Sequence, residues 1–275
     1  MKLELCDAIM QAYMKEVSIR FLPLTPEQEV LNREMTRRQE LRSNYLVPIY
    51  FMHTKNVPSA EAQAALAGVT DALLASGQNR KIVNFGSQAF GQGPYLNPEW
   101  YVEETLKKQK LQKVAGYGQQ LIANNVMQHF YQEPWQKQPH WEVFVLNRDL
   151  TAWGRDGLLN YIFGLTNSEF AASIQSITRI MSEIPTEDLR KAMIRRLLRH
   201  EVGHMFKLPH SNRPNIEIKL GLHCTNICTM RQGMSITEWA KQTIEEAKRG
   251  IHFCEDCQRD LAQERNRFNP LPSQR

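Results

Sequence analysis

The run His200-Glu201-Val202-Gly203-His204-Met205-Phe206-Lys207-Leu208-Pro209-His210 constrains this chain more than any other stretch. Two histidines four residues apart sit one turn above each other on one face of an α-helix. At that spacing both imidazoles can reach one metal ion. Glu201 lies about 100° further round the helix, near such an ion without competing for it. The chain must then turn back before His210 completes a three-histidine set. Three neutral imidazoles leave a tetrahedral zinc with one open position. Water there has its pKa lowered, and a carboxylate beside it can take the proton as the water attacks a carbonyl. The motif therefore points to metal-assisted peptide hydrolysis, with His200, His204 and His210 as ligands and Glu201 as general base.

A helix with two solvated or core histidines is the plain alternative, and the flanks argue against it. Pro185-Thr186-Glu187-Asp188 reads as a helix start, with Thr186 as cap and acids in the first turn. Leu189, Met193, Leu197, His200 and His204 then follow one stripe, so the histidines continue a buried face. Lys191, Arg195 and Arg199 fall on the opposite side, which reads as a solvated face.

Cysteine usage adds a second constraint. Of five cysteines, Cys224, Cys228, Cys254 and Cys257 lie within the last 52 residues. A C-x3-C pair, 25 intervening residues and a C-x2-C pair suit a tetrahedral four-thiolate zinc site. Two disulfides across the pairs in a secreted protein are the rival reading. Cys6 stands apart and reads as an inert buried thiol.

The bulk numbers exclude little else. The 275 residues are 42% hydrophobic and 23% charged with a net charge of +5, an ordinary soluble composition. No stretch is basic and aromatic enough to demand nucleic acid. Glu255 and Asp256, between the last two cysteines, oppose a nucleic-acid-binding zinc ribbon. No apolar run approaches the length of a membrane span. Residues 1–16 do not resemble a secretory signal, so a cytoplasmic protein is expected.

Along the chain, strands are expected over 16–24, 47–52, 81–85, 141–146, 158–163 and 171–180. Helices are expected over 25–46, 59–76, 103–113, 114–130, from 186 through the histidines, 235–250 and 260–267. Gly86–Tyr101 reads as an aromatic-anchored loop. No internal repeat appears, and one compact domain is favoured.

At this point the residues resemble a known family. His200-Glu201-x-x-His204 with His210, then Cys228-Thr229-Met230 and Cys254-x-x-Cys257, are similar to the archaemetzincins, a branch of the metzincin zinc peptidases. The likeness covers roughly residues 140–260. It implies an α/β (α+β) metzincin-like fold, with a twisted mixed sheet packed on helices and an active-site zinc helix. A small C-terminal subdomain would be clamped by a four-cysteine zinc. The implied layout is a single catalytic domain over 1–275: a helical extension (1–45), an upper subdomain (46–206) and a lower one (207–275). Two zinc ions per chain are implied, one catalytic and one structural on Cys224, Cys228, Cys254 and Cys257, with Met230 in the turn beneath the catalytic metal. A peptide or protein substrate would run along an edge strand bearing Leu158, Tyr161, Phe163 and Leu165 in a monomer that binds neither nucleic acid nor membrane. The alternative function is a zinc-holding peptide-binding module without strong activity.

Three departures from the family pattern stand out. Lys207 replaces a glycine at the sharp turn after the helix; a lysine at positive φ costs roughly 1 kcal/mol. Thirteen residues separate His210 from Cys224, where the family cysteine follows the third histidine directly. His223-Cys224 recreates that adjacency, so His223 rivals His210, which is preferred for its spacing and for Leu208-Pro209 before it. The first cysteine pair is one residue closer, and Met230–Cys254 is longer.

Overall fold

The computed structural model describes residues 48–78, 80–88, 97–109, 113–131, 140–154, 157–167 and 172–268. The strand expected over 16–24, the helix over 25–46, Cys6 and the extension 1–45 lie outside these residues, as does half of the aromatic loop.

Trp141–Leu146 (strand β3) forms the middle of the sheet, and all six of its residues are buried. Such a run, apolar at nearly every position, is what a strand covered on both faces requires. On one side β3 pairs in parallel with β1 (Ile49–His53), which pairs in parallel with β2 (Ile82–Gly86). On the other side it pairs in parallel with β5 (Ala172–Ser176). The outer strand β4 (Gly164–Asn167) runs antiparallel to β5, giving the order β4-β5-β3-β1-β2.

Helices cover both faces. Ile49, Phe51, Val143 and Val145 share one core with α1 (Ser59–Ser76) and with α5 (Glu187–Met205). On the opposite face Phe144 meets Tyr101 of α2 (Pro98–Lys108) and Phe130 of α3 (Ala123–Tyr131), with ring centroids 6.0 and 5.6 Å away. After β5 the short α4 (Thr178–Glu183) leads into α5. Beyond α5 come a hairpin, β6 (Ile216–Ile218) with β7 (Leu222–Cys224), then α6 (Ile236–Arg249) and α7 (Glu255–Phe268). Helix α6 starts on Ser235, whose hydroxyl accepts from the Glu238 N–H, and ends on Gly250 at φ 65°, as its sequence predicts. Among the described residues no helix is long and apolar enough to cross a membrane.

Helices α1 and α5 touch backbone to backbone. A β-carbon at Gly68 would collide with the Arg195 carbonyl oxygen and lie 2.8 Å from the Leu198 β-carbon. Gly68→Ala should therefore destabilise the protein by ~1–3 kcal/mol through overpacking. Helix propensity alone predicts the opposite sign, a gain of about 1 kcal/mol. A urea titration decides between them, and an unchanged or higher midpoint would refute the close approach.

Several expected elements differ. The helix expected over 114–130 occupies only Ala123–Tyr131, because Lys113–Val114 and Gly118–Gln119 form a tight hairpin instead. Residues 158–163 do not form a sheet strand: Leu158 pairs with Trp153 in a separate two-residue ladder, and Ile162 makes one bridge to Leu150. The sheet edge is Gly164–Asn167, the segment expected to be a connector. The region expected to be strand through 180 stops at Ser176 and becomes helical at Thr178. Helix α7 begins at Glu255, five residues before its expected start.

The charged face of α5 is solvated at Lys191 and Arg195, as expected, but not at Arg199. Arg195 and Arg199 both pair with Asp71 of α1, at 2.6 and 2.8 Å, and Arg199 is only 5% exposed. Beside them Arg196 is wholly buried, 3.0 Å from Glu246 of α6 and stacked 4.0 Å over the Trp239 ring. A helix with partners on nearly every side keeps its charges by pairing them.

Candidate metal centre and its carboxylate

Helix α5 delivers His200, Glu201 and His204, and its C-terminus determines how His204 points. The helix ends with Lys207 at φ 61°. The Lys207 N–H donates to the His204 carbonyl (2.8 Å) and the Leu208 N–H to that of Gly203 (3.0 Å), the two bonds of a Schellman cap. Glycine is the usual residue there; lysine takes the same left-handed conformation at roughly 1 kcal/mol. The cap folds Leu208 back so that its carbonyl oxygen lies 2.8 Å from His204 Nδ1.

His200 is oriented in the same way from another segment. Its Nδ1 lies 2.8 Å from the Thr229 carbonyl oxygen. The third imidazole comes from β7: His223 Nδ1 lies 3.2 Å from the Gly221 carbonyl oxygen in the hairpin turn. A carbonyl only accepts, so each Nδ1 carries the proton and each Nε2 turns a lone pair inward. The three Nε2 atoms converge, 3.1 Å from His204 to His200 and 3.2 Å from His204 to His223. Three lone pairs at that separation repel one another unless a cation lies among them. Burial and the neighbouring imidazoles hold His200 well below the usual histidine range, burial pushes His204 down to about 3, and burial also lowers His223. All three are therefore neutral at neutral pH, the form that binds metal. A tetrahedral zinc with bonds of about 2.05 Å to nitrogen would have its ligands roughly 3.3 Å apart, so the donor set fits the ion the sequence implied.

His210 is not part of this group, contrary to the sequence reading. Its backbone N–H donates to Asp260 Oδ2 (3.1 Å), its Nδ1 lies 3.2 Å from Gln263 Oε1, and its Nε2 lies 3.1 Å from the Glu264 carboxylate. These partners all belong to α7, so His210 ties the loop after α5 to the C-terminal helix. The inserted residues then form the β6–β7 hairpin, which returns the chain to the centre at His223. The adjacency of His223 and Cys224 has a direct cause: neighbouring strand residues point to opposite faces. One turns to the histidines and the other to the cysteines.

Those cysteines form a second group. Cys224 and Cys254 sulfurs lie 3.7 Å apart and Cys228 and Cys257 3.5 Å, with all four ligand atoms within 4.8 Å of one another. A four-thiolate zinc with bonds of about 2.3 Å has sulfurs roughly 3.8 Å apart, whereas a disulfide needs about 2.05 Å. The thiols are free, which removes the disulfide reading. Donors surround them as thiolates require: Arg213 Nη2 lies 3.1 Å from the Cys257 sulfur, and the Cys254 and Met230 N–H groups lie 3.4 and 3.5 Å from that of Cys228.

Met230, expected under the metal, is fully buried against α5, where its sulfur occupies the space a β-carbon at Gly203 would need. The turn carrying it is anchored from behind. Glu246 accepts from the Thr229 hydroxyl at 2.8 Å and from Arg199 at 2.5 Å, and lies 3.0 Å from the His252 ring. Although burial opposes it, the contact with His252 and the charges of Arg199 and Arg196 keep Glu246 below the usual carboxylate range. This anchorage gave no signal in the sequence, since its members lie up to 50 residues apart on different elements.

Glu201 is 6% exposed and lies against the edge strand. Burial pushes its carboxyl up to about 7, partly offset by a 2.6 Å hydrogen bond from the Thr166 hydroxyl. Of the four residues expected to line a substrate strand, only Leu165 is on that strand. Leu158 is in the separate ladder, Tyr161 donates its hydroxyl proton to the Met234 carbonyl (2.9 Å), and Phe163 is buried 5.7 Å from the Trp239 ring. The Arg179 guanidinium, bonded to Asp149, lies 3.8 Å over the Tyr161 ring.

No protein-family model matches the chain, and no curated protein matches it in sequence. In structure it is similar to a crystal structure of archaemetzincin from Methanopyrus kandleri, with a TM-score of 0.52 and 16% identity over 80% of this chain and 96% of the other. That likeness, reached independently of the motif spacing, shows that this chain has an archaemetzincin-like fold.

Proposed function

We propose that this protein is a zinc-dependent hydrolase of peptide bonds. The observation that carries the reading is the convergence of the three Nε2 atoms, each with its Nδ1 committed to a backbone carbonyl. Such a site presents the donor set that a zinc ion needs. When bound, zinc supplies Lewis acidity, acidifying water and polarising a carbonyl. Glu201 takes the proton of the attacking water on a carboxylate oxygen and hands it to the leaving amine nitrogen. Strand β4, paired on one side only among the described residues, presents backbone N–H and C=O groups to which an extended peptide can add. The four-cysteine group would hold a second zinc that braces β7, and with it His223, against the start of α7; free thiols suit a reducing compartment.

The direct test is reconstitution. Protein stripped by a chelator and given one or two equivalents of zinc is incubated with a mixed peptide library, and products are read by mass spectrometry. Cleavage should fall at least ~100-fold on stripping and return with zinc, in keeping with the size of metal contributions to hydrolysis. Cleavage indifferent to the chelator, or no cleavage by the fully loaded protein, overturns the assignment.

A further inference from the structure

The Glu201 carboxylate is fixed by a set of residues that includes no metal ligand. Its Oε2 accepts from Thr166 Oγ1 at 2.6 Å, and Thr166 Oγ1 lies 2.7 Å from Ser173 Oγ. Ser173 Oγ in turn accepts a short bond from Gln175 Nε2. Thr166 stands on β4 directly opposite Ser173 on β5, and Ser173 and Gln175 are both wholly buried. The proton direction along this chain follows from its amide end: an amide nitrogen can only donate, which leaves the Ser173 proton for Thr166 and the Thr166 proton for Glu201. Gln175 therefore donates to Ser173, Ser173 to Thr166 and Thr166 to Glu201. Thr166 Oγ1 also lies 3.2 Å from the Glu201 backbone carbonyl, but its single proton belongs to the shorter, charge-assisted bond. Donors aligned head to tail polarise one another, so the last bond is stronger than an isolated one.

The other carboxylate oxygen is positioned by shape. A β-carbon at Gly164 would lie 2.5 Å from Glu201 Oε1 and 2.6 Å from Cδ, so only a glycine lets the carboxylate lie flat on the strand. Among the described residues no other side-chain hydrogen bond reaches this carboxylate, and Oε1 keeps its lone pairs.

We propose that Thr166 is a positioning residue for Glu201: the Gln175–Ser173–Thr166 chain holds Oε2, and Gly164 leaves room for Oε1 to serve as the proton acceptor. The role of Oε1 rests on the hydrolase reading above; the positioning itself does not. The edge strand would thus both receive substrate backbone and aim the base, so that the peptide and the carboxylate share one rigid reference.

The test uses the full zinc-loaded chain with Thr166→Val, Thr166→Ser and Ser173→Ala. Thr166→Val should keep both metals and a KM within ~3-fold of the parent while kcat falls ~10–100-fold, the scale of a misplacement of about 1 Å. Thr166→Ser, which keeps the hydroxyl, should recover kcat to within ~3-fold, and Ser173→Ala should fall between the two. A crystal structure of Thr166→Val should show the Glu201 carboxylate rotated off the strand. Parental kcat in Thr166→Val, no recovery in Thr166→Ser, or an unmoved Glu201 in the crystal each overturns the proposal. If the parent protein cleaves no peptide, the hydrolase reading fails by itself, and the carboxylate position in the crystal alone decides the positioning. Should Thr166→Val not fold, the kcat and crystal structure of Ser173→Ala carry the same decision.

Discussion

His223→Ala should lose one of two zinc ions, while His210→Ala keeps both. Two imidazoles from α5 cannot enclose the ion without the third, which the hairpin supplies 3.2 Å from His204. Removing an orienting partner typically costs 10–100-fold in metal affinity, and removing a ligand atom should cost more than that. The four-cysteine group does not include His223, so its zinc remains and serves as an internal reference in the same sample. His210→Ala removes a ring placed among Asp260, Gln263 and Glu264 and leaves those acids facing a gap. Its effect should be on stability, about 1–3 kcal/mol as for a lost hydrogen bond to a charged group. Native mass spectrometry counts the metals, and urea unfolding measures the stability. Two retained zinc ions in His223→Ala, or one lost in His210→Ala, would return the third ligand to His210.

Glu201→Gln should reduce peptide turnover by ~10²–10⁴-fold, the usual contribution of a general base, with both zinc ions still bound. The amide is nearly isosteric with the carboxylate. Its oxygen can still accept from Thr166, so the side chain should stay on the edge strand. What it loses is the capacity to take a proton from water. An identical metal content with near-parental turnover would mean that another group accepts the proton, and the role assigned to Glu201 would be abandoned. Loss of metal along with turnover would instead indicate that Glu201 helps to hold the ion.

The two results differ in how visible their residues are in the linear chain. His200, Glu201 and His204 depend on helix geometry alone, and the 3.6-residue period suffices to place them on one helix. The four cysteines were legible because ligands of a structural zinc come in close pairs. The buried strand Trp141–Leu146 and the capped helix Ile236–Arg249 likewise carry their signals within a few residues. The edge strand did not. Gly164–Asn167 reads as a connector because its residues are neither strongly apolar nor alternating, and it becomes a strand through its ladder to Ala172–Ser176. The charged face of α5 misled at Arg199 for a related reason: Asp71 and Glu246, which bury it, belong to two other helices.

By itself, the sequence picked out two candidate ligands, the carboxylate between them and the cysteine set, because each follows from spacing along one element or from close pairs along the chain; the sharp turn at Lys207 was implied by the family resemblance. Only the tertiary structure decided between His210 and His223, which strand bears the carboxylate's partners, and which oxygen of Glu201 they hold. Those choices depend on where a hairpin and a sheet edge come to lie against α5. That placement is a balance of packing and hydrogen bonding between segments distant in the chain, which no local period records.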